Sequence, residues 1–237
     1  MKLLTALRTA GRLEITFLLC LSSLFCVGLS ITRCYFTHSK LFLFLNWNLF
    51  LAFIPWVVTT WFILRGPKDR HTLLLFFSLL IWILFFPNAP YMLTDLFHLR
   101  YKSNVPVWFD TVLILSYAWT GLIFGFSSLL DIEKLLKLEK KRTLLISTGL
   151  LFIAGFGIYL GRFLRWNSWD IFQNPGALLG DIGDRFIHPY QHPRTWMVTL
   201  SVGILLNFMY WSIKALRSGV YPSIATGPEN PHPPQTT

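Results

Sequence analysis

The chain has 237 residues, of which 54% are hydrophobic, 17% aromatic and 14% charged, with a formal net charge of +10. A water-soluble domain carries roughly 25% charged residues, whereas here long apolar runs are separated by short charged loops, and a charge at the bilayer centre costs about 2.5–3.5 kcal/mol on insertion scales. A soluble fold is therefore rejected. Nucleic acid is not an expected partner either, because no soluble stretch interleaves basic residues with stacking aromatics.

The first apolar run, 15–32, follows Lys2, Arg8 and Arg12. It is longer than a signal-peptide core and lacks a small-residue cleavage pattern, so an uncleaved first span is expected. Cys20, Cys26 and Cys34 fall in or just after this run. Their number is odd and no CxxC spacing occurs, so they are expected to be buried, inert thiols. The second run, 41–64, contains Asn46, Asn48 and Pro55. The third, 72–86, is short and stops at Pro87-Asn88-Ala89-Pro90. Those prolines remove two backbone donors and bias the preceding residues away from helix.

The fourth run covers 111–130, the fifth 143–160 and the sixth 196–213. Since roughly 20 helical residues cross the hydrocarbon core, the expectation is an all-α polytopic bundle of about six transmembrane helices. Between the fifth and sixth, Asn174-Pro175 reads as an N-cap followed by proline at the first helical position. Leu178, Leu179, Ile182 and Phe186 then recur at helical spacing up to His188-Pro189. This predicts a short interfacial helix. Residues 1–217 form the transmembrane domain, and the proline-rich tail 218–237 is expected to be disordered.

Orientation follows from the basic residues. With six spans, the side holding both ends of the chain collects thirteen of the 21 Lys and Arg residues, among them Arg12, Arg65, Lys68, Arg70, Lys134 and Lys214. By the positive-inside bias both termini are expected in the cytoplasm.

Threading the polar residues onto this topology brings distant segments to the outer face. Asn46 and Asn48 lie roughly 8–10 Å below the start of the second span at 1.5 Å per residue. Asn88, Tyr91, Asp95 and His98 follow the third span, Asp110 opens the fourth, and Arg162, Arg165, Asn167 and Asp170 close the fifth. Each has a plain structural reading. Asp110 caps a helix start, Arg162 and Arg165 snorkel to headgroups, and Asn46 and Asn48 bond neighbouring helices. His98 is then an interfacial side chain, and Asp95 bridges to Arg162 or Arg165. The functional reading takes them together. Asp95 and His98, three apart, share a helix face as a candidate catalytic pair. Arg162 and Arg165, at the same spacing, form a candidate anion site. Asn46, Asn48, Asn88, Tyr91, Asp110, Asn167 and Asp170 support them.

The stretches NWNLFLAFIPW, FFPNAPYMLTDLFHL, VWFDTVLILSYAWTGLIFG and GFGIYLGRFLRWNSWD resemble an uncharacterised family of bacterial integral membrane proteins, defined as a domain of unknown function. The resemblance runs from about Asn46 to the last span. It implies a multi-pass protein of the bacterial cytoplasmic (inner) membrane and no known reaction. Its characteristic letters include Asn88, Pro90, Tyr91, Asp95, His98, Asp110, Arg162, Arg165, Asn167, Trp169 and Asp170.

Three functions compete: an enzyme acting on an anionic lipid or lipid-linked substrate, a non-enzymatic assembly or accessory protein, and a transporter subunit. The last would need polar residues across the bilayer, where Tyr117 and Asn207 are the main candidates. Membrane lipids, with an anionic headgroup as candidate ligand, are the expected partners. No nucleotide-binding loop and no HExxH zinc motif occurs, so neither cofactor nor metal is expected. The glycines of GFGIYLG lie inside an apolar span, where they permit close helix packing.

Overall fold

The computed structural model describes residues 2–65, 72–100, 105–137 and 139–217. The proposed tail, together with Lys68 and Arg70 of the orientation count, lies outside them. In chain order the helices are α1 (Lys2–Thr9), α2 (Leu13–Thr37), α3 (Phe44–Arg65), α4 (Thr72–Phe85) and α5 (Asn88–Tyr91). A 3-10 helix (Met92–Arg100) follows, then α6 (Val107–Leu135), α7 (Lys140–Phe163), α8 (Asp170–Gln173), α9 (Pro175–Ile187) and α10 (Pro193–Arg217). Among the described residues, six helical segments are long and apolar enough to cross a membrane: α2, α3, Thr72–Leu99, α6, α7 and α10. The protein is an all-α, multi-pass membrane bundle.

Most of these helices run past the apolar stretches that announce them. α6 has 29 residues, about 44 Å of helix at 1.5 Å per residue, which matches the roughly 40–45 Å of a whole bilayer including headgroups. The apolar run marks only its hydrocarbon-crossing part.

α4 ends at Phe85, just before the double-proline segment as expected, but the chain does not open there. Phe86 N–H bonds Trp82 O at 2.8 Å and Tyr91 N–H bonds Pro87 O at 3.0 Å, so one helical path continues through a change of helix type. Pro90 falls in the first turn of α5, where backbone N–H groups have no intrahelical partner and a missing one costs little. The helix expected after Asn174 is α9, with proline in its first turn. Asn174 makes no side-chain cap hydrogen bond, and a short α8 precedes it. Of the cysteines, Cys26 is buried, Cys34 half-buried and Cys20 exposed. Cys20 lies on a lipid-facing helix, where a small apolar side chain needs no protein cover.

α6 is the central helix: 67% of its apolar window is buried, against 44% for α3 and less for the others. On one side it packs Leu113, Ile114 and Tyr117 against Leu19, Leu45, Leu49 and Met92. On the other, Leu122, Phe126 and Leu129 meet Trp82, Leu151, Leu206 and Tyr210. The short α5 is wedged between α6 and α7. A Cβ at Gly121 of α6 would lie 2.9 Å from Ala89 O, and one at Gly157 of α7 would lie 2.9 Å from Pro87 Cβ. Only glycine lets the helices approach this closely.

α2 runs antiparallel to α6, held by an ion pair at each end. Arg12 Nη1 meets Asp131 Oδ2 at 2.6 Å, and Arg33 Nε meets Asp110 Oδ1 at 2.6 Å. The two arginines are separated by as many residues as the two aspartates, about 31 Å of helix. That is close to the roughly 30 Å of a hydrocarbon core, so the two bridges bracket the apolar layer. Between them, Ser30 Oγ and Tyr117 OH are 2.7 Å apart, and Cys26 Sγ and Thr120 Oγ1 3.5 Å.

A candidate ligand cavity at the PNAPY end of the bundle

The 3-10 helix after α5 positions Asp95. Its carboxylate is fully buried. Oδ1 accepts from Arg162 Nη2 of α7, and Oδ2 accepts from Asn48 Nδ2 of α3 at 3.1 Å. Arg162 is further fixed by Nε donating to Thr94 Oγ1 at 2.9 Å and by its Cζ lying 4.6 Å from the Tyr91 ring centroid. Asp95 therefore ties α3, the 3-10 helix and α7 together. Of the alternatives open in the sequence, the bridge from Asp95 to Arg162 is the one this geometry displays.

His98 does share a face with Asp95, as three-residue spacing on a 3-10 helix requires. Its Nδ1 lies 3.2 Å from the backbone carbonyl of Asp95 and 3.8 Å from the carboxylate Oδ1. A carbonyl only accepts, so that bond needs the proton on Nδ1. This hydrogen bond is to the main chain, with the carboxylate at the longer ion-pair distance and the Phe44 ring centroid 5.1 Å away.

Arg162 and Arg165 do not form one clamp. α7 ends at Phe163, and the chain doubles back with Trp166 N–H bonding Leu160 O at 3.1 Å. Arg165 sits in this turn with a left-handed φ of +64°, so its side chain leaves the helical line that three-residue spacing assumed. It is exposed, and among the described residues its guanidinium has no partner.

The supporting residues divide into separate groups. Asn46 accepts from Tyr117 OH at 2.7 Å, joining the α2–α3–α6 contact instead of the Asp95 group. Asp110 pairs with Arg33. Asp170 Oδ2 accepts from Asn167 N–H at 2.6 Å, a local turn at the start of α8. Asn88 Nδ2 donates to Ser168 Oγ at 3.0 Å, and Ser168 Oγ donates to Leu84 O at 3.1 Å. Through these bonds the PNAPY and RFLRWNSWD segments meet. Asn207, a candidate for a polar path, donates to Gly203 O of its own helix at 2.8 Å.

Next to this junction lies a cavity of about 370 Å³ between α3, α4, α7 and α9. Its polar lining includes Asn48, Asn88, Tyr91, Asn167 and Ser168, with Trp47, Trp166 and Trp169 beside them. Leu51, Ile83, Ile153, Phe156 and Leu160 form its apolar part. Ile153 stands ten residues before Phe163, about 15 Å down the helix. α9 covers one side, anchored by Trp166 Nε1 donating to Asp181 Oδ2 at 2.7 Å. Asp95, His98 and Arg162 border the cavity's partners but do not line it. Among the described residues, no group of three or more His, Cys, Asp or Glu side chains stands together as a metal site.

Sequence reasoning passed over Arg33, Asp131, Glu133 and Ser168. The equal spacing of Arg12–Arg33 and Asp110–Asp131 was a readable signal for the first two. Ser168 carried none, because its partner Asn88 is 80 residues away.

Comparison with curated proteins gives no match, and comparison with solved structures gives none. A family model described as a protein of unknown function, DUF1361, matches residues 47–209. That range runs from Trp47 on the cavity wall into α10, and with most of its length covered the chain belongs to the DUF1361 family.

Proposed function

We propose that this membrane protein binds a lipid or lipid-linked anion in the cavity between α3, α4, α7 and α9. The carrying observation is the gradient in its lining, from amide, hydroxyl and indole groups at the helix ends to aliphatic side chains about 15 Å deeper. An amphiphile is the ligand whose own polarity follows that gradient, and small-molecule sites are largely apolar with a few convergent polar groups. Ile83 and Ile153 on its wall are exposed and lie within the apolar spans α4 and α7, which supports entry from within the bilayer. Arg165, with no partner among the described residues and next in sequence to the lining residue Trp166, supplies a cation for a phosphate.

By this reading the protein resides in the bacterial cytoplasmic membrane with both termini inside, supported by thirteen of 21 basic residues on that side. The cavity then opens near the outer face. Arg162, Asp95 and Asn48 hold its walls in place. A binding or accessory role is favoured over catalysis. Both Asp95 oxygens are occupied and enclosed, so a substrate reaches them only if the Arg162 bridge opens.

The test is native mass spectrometry of the full chain released from gentle detergent, with the retained lipid identified. Ile83→Trp and Ile153→Trp fill the apolar part and are expected to empty it. Arg165→Ala is expected to weaken a phosphate-bearing lipid about tenfold while sparing a neutral one. Unchanged lipid retention in both tryptophan variants overturns the reading. A lipid-modifying activity that vanishes in a folded His98→Ala protein would restore the enzymatic alternative.

A further inference from the structure

At the opposite end of the bundle, the end of α6, the start of α7 and the end of α10 border a second, open cavity of about 700 Å³. Five lysines line it, Lys134, Lys137, Lys140, Lys141 and Lys214, against one carboxylate, Glu133. That carboxylate is already committed. Glu133 Oε2 accepts from Lys214 Nζ at 2.6 Å, and Oε1 accepts from Ser147 Oγ and Tyr210 OH, each at 2.6 Å. The other four lysines are exposed and, among the described residues, have no anionic partner. The nearby Glu139 faces Arg142 at 3.9 Å instead.

A topology signal requires basic residues on one side of the membrane; it does not require them to converge from three helices on one concavity. Such convergence raises the local potential and is relieved by an anion. The cavity also has an apolar wall in Leu144 and Trp211. Lys214 Nζ lies 4.7 Å from the Trp211 ring centroid, at the junction of the charged and apolar parts. We infer that this cavity binds the phosphate of an anionic membrane lipid, with its glycerol and acyl portion lying along Leu144 and Trp211. Basic pockets between helices at the headgroup level are suited to this ligand, lysines acting as mobile point charges around the phosphate. The inference shares no residue with the cavity proposed above.

The experiment titrates the full chain in detergent with phosphatidylglycerol, phosphatidylcholine or inorganic phosphate, and counts bound lipid by native mass spectrometry. It is run in the Ile153→Trp background as well as the wild type, so that the first cavity and this one are read separately. Phosphatidylglycerol is expected to bind at least about tenfold tighter than phosphatidylcholine, given roughly a factor of five per nearby lysine. The combined Lys134→Gln, Lys137→Gln, Lys140→Gln and Lys141→Gln protein is expected to lose that preference. Since removing four topogenic charges can disturb insertion, Leu144→Glu serves as a second variant: it keeps every lysine and places a competing carboxylate in the cavity. Loss of preference in Leu144→Glu supports the inference. Retention of the full preference in Leu144→Glu, or displacement of the lipid by equimolar inorganic phosphate, overturns it.

Discussion

Arg33 and Asp110 are 77 residues apart in the chain, yet their side chains meet in two parallel contacts, Nε to Oδ1 at 2.6 Å and Nη2 to Oδ2 at 3.3 Å. Both are almost wholly buried, and the guanidinium also lies 4.3 Å from the Phe42 ring centroid. Taking one partner away strands a buried charge, which costs about 3–5 kcal/mol. Asp110→Asn and Arg33→Gln are each expected to lower unfolding free energy in detergent by that amount. The double variant Arg33→Met/Asp110→Leu is expected to be more stable than either single one. A double variant as unstable as the sum of the singles would show that the two groups are not coupled.

The Asp95 group separates a bridging role from a chemical one. Asp95→Asn leaves Arg162 without its counter-charge and is expected to cost about 3 kcal/mol in the same unfolding measurement. Asn48→Ala removes one bond to a charged acceptor and is expected to cost about 1.5–3 kcal/mol. His98→Ala removes a bond to the neutral Asp95 carbonyl, and that bond is expected to contribute about 1 kcal/mol. If His98→Ala proves as damaging as Asp95→Asn, the imidazole carries more of the junction than its contacts indicate.

Gly121→Ala places a methyl 2.9 Å from Ala89 O, a backbone atom that cannot swing aside. The α5–α6 contact is expected to open by a few tenths of an ångström, at about 1–3 kcal/mol. Gly149→Ala is the matched control, since a Cβ there meets nothing within 4 Å. Within a helix, glycine is less favourable than alanine by about 1 kcal/mol, so the control is expected to be neutral or stabilising. Comparable melting temperatures for the two variants would refute the close approach.

Asp184 links α9 to the start of α10. His188 Nδ1 lies 2.9 Å from Oδ1 and His192 Nε2 lies 2.6 Å from Oδ2. These hydrogen bonds, that of His188 first, hold the Asp184 carboxyl below the usual carboxylate range. A carboxyl depressed in the folded state contributes stability above its unfolded pKa of about 3.9, and loses it as pH falls through the folded value. The α9–α10 junction is therefore expected to hold from pH 7 to about 5 and to loosen below about pH 4. Spin labels at the exposed Leu179 and Leu200 report this as a broadened distance distribution. In Asp184→Asn the acid step should be absent, and its persistence would place the titration elsewhere.

Much of the candidate site was legible because chain topology alone brings segments to one end of a bundle. Six apolar runs, each read with its flanking charges, put Asn48, Asn88, Asp95 and Arg162 near one another before any side chain was placed. The grouping of Asn46, Asp110 and Arg165 with them did not follow. Asn46 and Asn48 are two residues apart on a helix, so they point to different faces; one meets Tyr117 and the other Asp95. Arg165 left its expected face because α7 ends two residues earlier.

What the sequence determined alone is what hydrophobic transfer controls: the six crossings, the amphipathic α9 after Asn174, the family, and the excess of basic residues, thirteen of 21, in the loops of one side. What the tertiary structure decided is which polar group meets which. Helices such as α3, apolar nearly all round, carry almost no periodic signal of their rotation about the axis. Rotation and register are fixed by neighbours in contact, by the wedge of α5 between α6 and α7 and by the Arg–Asp bridges, and pairwise contact is a property of the packed bundle.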